Sequence, residues 1–183
     1  MKEWQDQGLL RVTMAVNFSA RQFRQADLLP KILETLQSTR LDPEYLDVEI
    51  TEGVAMEDVS ASSGTLKALK EHGINSSIDD FGTGYSSLNY LQQFPVNKLK
   101  IDRAFITHIT DDSRIAKAVI GLAKSMDLKV LAEGVENSAQ NDTLQTLGCD
   151  LVQGYYFSQP LWPDEMQKIL HQGAIQPSDF VLV

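Results

Sequence analysis

Short apolar runs alternate with amphipathic helical stretches along most of this 183-residue chain. Each of six β-like runs ends at a polar side chain, and these are in order Asn17, Glu49, Asp79, Lys100, Glu133 and Gln153. Four of the runs span residues 12–16, 46–48, 129–132 and 151–152. Helical spacing predicts helices over residues 28–36, 66–70, 115–126 and 143–147. This alternation of strand and helix predicts parallel βα units.

Polar residues at the C-terminal ends of consecutive parallel strands are typical of the active site of a triosephosphate isomerase-type barrel. We therefore expect an α/β fold, a TIM-type (βα) barrel. A closed barrel usually needs about 250 residues, so we expect an incomplete one with about six of the eight βα units. The first strand begins near Arg11, which places the deficit at the N-terminal end. The chain is expected to form a single domain over residues 1–183, with residues 172–183 left unassigned.

Composition and charge narrow the function classes. A formal net charge of -9 without a visible basic patch argues against binding to DNA or RNA polymers, or to a membrane surface, through general electrostatics. The single Cys149 excludes an internal disulfide, and His72, His108 and His171 are too scattered for a local zinc motif. No apolar run approaches a membrane span, and the first residues do not open a signal peptide. We expect a cytoplasmic protein without direct membrane insertion.

Asp79 and Asp80 are the clearest local sign of chemistry. Adjacent carboxylates repel each other unless a proton or a cation lies between them, and Mg²⁺ and Mn²⁺ prefer such oxygen ligands. Glycines in the following segment, residues 81–87, let the backbone approach a ligand closely. The alternative is an Asx turn that involves Gly82.

Glu49 and Lys100 each lie between apolar neighbours in a β-like run, so both are expected to point into the polar interior of the barrel. Inward glutamates are rare without a partner. An inward Lys100 would orient or deprotonate an attacking water, neutralise a phosphate or balance the acids. The alternative for Lys100 is an ordinary surface lysine.

Four further residues are candidates mainly because of their position. Asn17 and Gln153 end their strands, where each also has an ordinary role in a turn or in capping the backbone. Glu133 and Glu136 flank Gly134, and one of them is expected to be only a charge at a helix N-terminus. Taken together, the strand-end residues predict one shared pocket. Two cations held there would suit hydrolysis of a phosphate ester.

Together these motifs resemble the EAL domain, the cyclic di-GMP phosphodiesterase of bacterial signalling, over about residues 4–170. The resemblance is carried by residues 16–20, 49–52, 79–87, 99–102, 132–136 and 153–155. It implies a cyclic-guanylate-specific hydrolase that opens cyclic di-GMP to the linear dinucleotide pGpG. The metal ligands that it implies for Mg²⁺ or Mn²⁺ are Asn17, Glu49, Asp79 and Asp80.

The resemblance also implies catalytic and supporting roles. Lys100, Glu133 and Gln153 would position or activate the water and complete the surroundings of the second metal. Glu52 would hold the loop after the paired aspartates and so link metal occupancy to dimer contacts. Glu136 would be a further acid behind the ligands.

The chain departs from the family at its N-terminal end. The name-giving Glu-Ala-Leu strand, whose glutamate is a metal ligand in the family, has no counterpart before Val12. The resemblance is therefore to an N-terminally truncated domain, and the activity of the isolated chain stays open. Exposed strand edges would invite pairing, so a homodimer is expected. Two alternatives remain: a non-catalytic cyclic di-GMP-binding or protein-interaction module, and an unrelated barrel lyase that uses Lys100 as a Schiff-base amine.

Overall fold

Six parallel strands form one sheet in the same order as in the chain. The computed structural model describes residues 1–84 and 88–173. The strands are β1 (Met14–Asn17), β2 (Leu46–Thr51), β3 (Asn75–Phe81), β4 (Lys98–Ile101), β5 (Lys129–Ala132) and β6 (Leu151–Val152). Each strand pairs with the next in parallel, which makes a half-barrel whose two edge strands are β1 and β6. The prediction of an incomplete βα barrel with about six units is confirmed.

Helices precede and separate the strands, and several of them pack on the outer face of the sheet. They are α1 (Lys2–Asp6), α2 (Ala20–Phe23), α3 (Leu28–Thr39), α4 (Glu52–Glu57), α5 (Val59–Glu71), α6 (Leu88–Leu91), α7 (Arg103–Ile106), α8 (Arg114–Ser125), α9 (Ser138–Leu147) and α10 (Pro163–Gln172). A short 3-10 turn, Pro43–Tyr45, leads into β2. The four predicted helices are present as α3, α5, α8 and α9.

The main core lies between the outer face of the sheet and these helices. Ile50, Ile78 and Leu99 point outward from neighbouring strands and are almost completely buried, and Leu66 and Leu69 of α5 are fully buried. Because side chains alternate across a strand, the residues between these apolar positions point to the inner face of the half-barrel. That inner face carries the polar residues of interest.

Several predicted boundaries were wrong. The first strand begins at Met14 rather than at residue 12, and the helix predicted over residues 66–70 is the C-terminal part of the longer α5. β2 continues two residues beyond Glu49, to Thr51, whose hydroxyl accepts the Val54 N–H at 3.4 Å and so starts α4. Side-chain capping thus sets the change from strand to helix, which apolar periodicity does not report.

Helix α10 was not predicted. It begins with Pro163 at its first turn and ends at Gly173, whose φ of 82° suits a left-handed C-terminal residue. Only Leu170 of this helix is buried, so its apolar signal is weak. The Gln167 amide donates to the side chain of Gln7 at 2.8 Å, which ties α10 to the N-terminal segment.

Two predicted features lie partly outside the described residues, namely the last three positions of the loop over residues 81–87 and most of the unassigned tail. Within the described residues, none of the helices has the length and apolar composition needed to cross a bilayer.

Candidate active site

Lys100 is the centre of a charged cluster inside the half-barrel. Its ammonium group donates to Glu49 Oε2 at 2.7 Å and to Asp79 Oδ2 at 3.0 Å, and it lies 2.8 Å from Glu133 Oε1. Lys100, Glu49 and Asp79 are 3%, 4% and 8% exposed, so these charges have left bulk water. One lysine thus holds three carboxylates that come from three different strands or strand ends.

The protonation of Lys100 follows from this geometry. Burial alone would lower the pKa of its ammonium group, but the hydrogen bonds to Glu133, Glu49 and Asp79 outweigh burial and raise the pKa above its ordinary value. Lys100 is therefore a cation throughout the neutral range, and it serves as a fixed positive charge rather than as a free amine.

Asp80 reaches the same mouth through a distortion of β3. In a regular strand two adjacent side chains point to opposite faces. Here Ile78 pairs with Leu99 and Phe81 pairs with Ile101, so a step of three residues on β3 lies opposite a step of two on β4. This bulge places Asp80 at a φ of 54°, and its N–H donates to Asp79 Oδ1 at 2.9 Å.

Three acids of the site are close enough to share one ion. A carboxylate oxygen from each of Asp79, Asp80 and Glu133 lies within 4.8 Å of the others. Burial raises the pKa of Glu133, and the Lys100 ammonium opposes only part of that effect. Burial, together with the charges of Asp79 and Asp102, raises the pKa of Asp80. The raised pKa values of Glu133 and Asp80 are those expected of buried acids whose negative charge is only partly balanced by nearby cations.

Asn17 and Gln153 flank the cluster from the two sides. Asn17 ends the edge strand β1 directly beside Glu49 in the sheet register, and its side chain is exposed. Gln153 follows β6, its N–H donates to Ala132 O at 2.9 Å, and it is also exposed. Both residues therefore lie at the C-terminal end of the sheet, as the sequence predicted.

Glu52 lies in the first turn of α4 and anchors the segment that follows β3. Its Oε2 accepts the N–H of Gly82 at 3.0 Å, although the residue is only 3% exposed. A Cβ added to Gly84 would come within 3.0 Å of the other carboxylate oxygen, so the backbone there passes very close to the acid. Glu52 thus contacts the loop backbone rather than Lys100.

Glu136 lies apart from the Lys100 cluster. Its carboxylate pairs with Arg103 at the start of α7, and its own N–H donates to the Gln140 side chain at 2.7 Å. Arg103 also packs over Gly134, whose φ of 71° and lack of a Cβ permit that close approach. The structure therefore brings Glu136 to the rim of the site rather than among the acids that surround Lys100.

Asp102 is a site residue that the sequence reasoning missed. Its carboxylate lies close enough to Asp80 to help raise the pKa of that residue, and its Oδ1 accepts the Ala104 N–H at 2.8 Å, which caps α7. Asp102 follows Lys100 by two positions, so strand alternation gave a signal that both face the same side. A fourth carboxylate therefore lies next to the acids that are able to share an ion.

Comparison with known proteins agrees with this arrangement. The family model of the EAL domain matches residues 1–160. The chain belongs to the EAL domain family.

Two curated relatives show what kinds of protein carry this domain. The chain is 44% identical over 178 residues to the signaling protein YkoW of Bacillus subtilis. It is 43% identical over 169 residues to MucR of Pseudomonas aeruginosa, named a bifunctional diguanylate cyclase/cyclic di-GMP phosphodiesterase. These alignments cover 96% and 91% of this EAL domain but only 22% and 25% of the relatives. The chain thus spans about a quarter or less of the proteins it matches.

A solved structure shows the same fold with a ligand. The MucR phosphodiesterase in complex with cyclic di-GMP superposes with a TM-score of 0.87 at 42% sequence identity. The similarity covers 91% of this EAL domain and 68% of the MucR chain. EAL domains are TIM-like barrels, so the six strands described above are part of such a barrel.

The residues present in this EAL domain fit a hard divalent cation. The family is generally metal-dependent, and the acids able to share an ion supply only oxygen donors. Mg²⁺ and Mn²⁺ favour carboxylate and amide oxygens, and the exposed amide of Asn17 lies beside Glu49 at the same sheet end. In the described residues the cluster contains neither cysteine nor histidine, which agrees with a hard ion rather than zinc.

Proposed function

We propose that this chain is part of a metal-dependent phosphodiesterase that hydrolyses cyclic di-GMP to linear pGpG. The observation that carries the proposal is the buried Lys100 held by Glu49, Asp79 and Glu133, with Asp80 beside them, at the C-terminal end of the sheet. Membership of the EAL domain family and the similarity to the MucR phosphodiesterase in complex with cyclic di-GMP support the substrate.

The metal ligands in this proposal are Asn17, Glu49, Asp79 and Asp80, and the metal is Mg²⁺ or Mn²⁺. When bound, such ions supply Lewis-acid stabilisation of the phosphodiester and lower the pKa of a coordinated water. Their positive charge would also offset the burial and the repulsion by neighbouring carboxylates that raise the pKa of Asp80. Asp102 adds a further negative charge beside Asp80, which would favour a bound cation.

Glu133 is the proposed proton acceptor. Its raised pKa brings its basicity nearer to neutral pH, and it lies in the cluster where an attacking water would approach. Water passes a proton to Glu133 as its oxygen bonds to phosphorus, the bond from phosphorus to the 3′ oxygen breaks, and that oxygen takes up a proton from solvent and leaves as a hydroxyl. The ring opens to a chain with a 5′ phosphate, which is pGpG.

The remaining candidates support this reaction. Lys100 balances the negative charge that grows on the phosphoryl oxygens and keeps Glu49 and Asp79 in their positions. Gln153 orients the substrate or water from the β6 side, Glu52 fixes the loop through Gly82, and Glu136 lies behind the site with Arg103.

The test measures hydrolysis directly. The 183-residue chain, and a fusion to the portion of the MucR phosphodiesterase that the similarity does not cover, are incubated with cyclic di-GMP and Mn²⁺. Chromatography then follows the formation of pGpG. We expect hydrolysis by the fusion, its loss on chelation, and its loss in the Asp79→Asn variant, whereas Asp111→Asn on the exposed surface has no effect. Wild-type rates in Asp79→Asn would refute the proposed site.

A non-catalytic cyclic di-GMP-binding or protein-interaction module is the second candidate. It is favoured by the coverage of only 68% of the MucR phosphodiesterase chain, because a half-barrel leaves part of a site to other segments. This function predicts binding of cyclic di-GMP, measured by calorimetry, without hydrolysis by the fusion at saturating Mn²⁺. A Schiff-base lyase does not fit, because Glu49, Asp79 and Glu133 hold the Lys100 side chain as an ammonium group rather than as a free amine.

Domain organisation, oligomeric state and cellular location belong to the same proposed function. We propose that residues 1–183 act as one domain, that two copies form a homodimer, and that the protein works in the cytoplasm. Within residues 1–84 and 88–173, β1 and β6 each pair with a strand on one side, and such strand edges favour self-association.

A further inference from the structure

A second charged cluster lies directly beneath the first, inside the half-barrel. Asp47 is 1% exposed, and both of its carboxylate oxygens lie 2.8 Å from the hydroxyl of Ser77. The ammonium group of Lys98 lies 2.6 Å from Asp47 Oδ2. No role in the reaction proposed above requires these three residues, and they form what we call the lower cluster.

The lower cluster repeats the upper one along the same strands. Asp47 precedes Glu49 by two residues, Ser77 precedes Asp79 by two, and Lys98 precedes Lys100 by two. Residues two apart in a strand share a face and are separated by about 6.6 Å. Each cluster therefore has a lysine of β4 that reaches across β3 to an acid of β2.

The charge balance of the two clusters differs. In the lower cluster one carboxylate meets one ammonium group, whereas in the upper cluster Lys100 alone contacts three carboxylates. The upper acids thus attract any further cation that reaches them. A divalent metal is one such cation, and a lysine side chain from the layer below is another.

On the side of the lower cluster away from the upper acids, the local charge is unfavourable to the ammonium group of Lys98. There the half-barrel opens to a cavity of about 510 Å³ whose lining includes Lys70, Lys129 and Asp127. Two ammonium groups against one carboxylate repel a third ammonium group, whereas the upper cluster attracts it. Among the described residues, Asp47 is the ion-pair partner that keeps Lys98 between these two regions.

We propose that Asp47, held by Ser77, is a positioning residue that sequesters Lys98 and so leaves Glu49 and Asp79 available to the divalent cation. This inference rests on the metal-binding function proposed above. It assigns the lower cluster a role in metal affinity, beyond its contribution to the stability of the sheet.

The test is calorimetric titration of the 183-residue chain with MnCl₂, without substrate. Asp47→Asn is expected to weaken Mn²⁺ binding about tenfold, because the released Lys98 competes for the upper acids. The double variant Asp47→Asn/Lys98→Met also lacks the competing ammonium group of Lys98. Its Mn²⁺ affinity is therefore expected to return to within about twofold of wild type. The matched control is the exposed pair change Asp111→Asn/Lys117→Met, which leaves the affinity unchanged.

The outcomes separate this inference from the proposed function. Equal weakening in Asp47→Asn and in the double variant would show that Asp47 is merely structural and would overturn the inference. A wild-type chain that binds no Mn²⁺ would instead remove the proposed metal site, and the inference with it.

A milder variant covers the case in which Asp47→Asn does not fold. Ser77→Ala keeps both charges but frees the Asp47 carboxylate, so binding weakens about threefold and recovers in Ser77→Ala/Lys98→Met. Binding by Ser77→Ala at the wild-type affinity would count against the inference. Far-ultraviolet circular dichroism verifies that each titrated variant is folded.

Discussion

Replacement of Lys100 by methionine tests the electrostatic core of the site. Methionine keeps much of the side-chain volume, so the main loss is the positive charge that contacts Glu49, Asp79 and Glu133. Removing one partner of a buried ion pair costs about 3–5 kcal/mol, because the remaining charge stays out of water. The Glu133 side chain is 21% exposed, and water relieves part of that cost. We expect the free energy of unfolding to fall by about 3 kcal/mol.

The pH dependence of this loss has a definite sign. In wild type the raised pKa of Lys100 means that its contribution is complete below about pH 10.4, the ordinary lysine value, and is lost only as the pH rises further. In Lys100→Met the ammonium group no longer opposes the effect of burial on Glu133, so the folded-state pKa of Glu133 lies still further above that of the unfolded chain. The variant therefore regains stability as the pH falls from neutral towards about 4.3.

The assay is urea unfolding followed by circular dichroism in the presence of a chelator. Lys67→Met is the matched control, because the Lys67 side chain is 72% exposed and its nearest acid, Glu71, lies 3.9 Å away. An exposed pair of this kind contributes about 1 kcal/mol or less. Equal free energies of unfolding for the two variants at pH 7.5 would refute the electrostatic argument.

Metal offers a second readout for the same variant. Mn²⁺ at a hundred times its dissociation constant stabilises a protein that binds it by about 2.7 kcal/mol. Because the acids freed in Lys100→Met still offer oxygen ligands, we expect Mn²⁺ to restore most of the lost stability. A variant that gains nothing from Mn²⁺ while wild type does gain would contradict the shared site.

Asp80 and Gly134 each allow a further test. Burial and neighbouring carboxylates raise the pKa of Asp80, so its charge destabilises the fold above the folded-state pKa. Asp80→Asn should therefore raise the melting temperature in a chelator at pH 7.5 and weaken Mn²⁺ binding. The control Asp111→Asn should change neither the melting temperature nor the binding. Gly134→Ala should cost about 3 kcal/mol in urea unfolding, since the φ of 71° disfavours a side chain and the new Cβ overlaps Arg103. Gly8→Ala has a similar φ of 76° but nothing within 4 Å, so it should cost about 1–2 kcal/mol; equal costs would contradict the overlap.

Strand alternation was enough to predict the centre of the site. Glu49 and Lys100 each lie between apolar residues, which placed both on the inner face, and their side chains are 2.7 Å apart. The prediction worked because both faces of the sheet have a fixed environment, helices outside and polar groups inside. The catalytic and ligand roles of these residues stay predictions.

Other parts of the site depend on contacts that periodicity does not contain. Asp80 reaches the mouth only because β3 bulges against β4, a matter of backbone geometry at two positions. The lower cluster joins Asp47 to Lys98 across an intervening strand, over 51 positions of sequence. Glu136 follows its strand much as Glu133 does, yet it pairs with Arg103, because the start of α7 lies nearer to it than Lys100 does.

The order of the strands also bears on how the chain folds during synthesis. Each strand pairs with the one made just before it, so the sheet grows by additions at one side and no strand has to be inserted between two others. Pairing with the neighbour in sequence closes the shortest loop open to each strand, which costs less chain entropy than pairing with a more distant strand would. A ribosome would deliver each of the strands β2 to β6 to a docking edge that the preceding strand already provides.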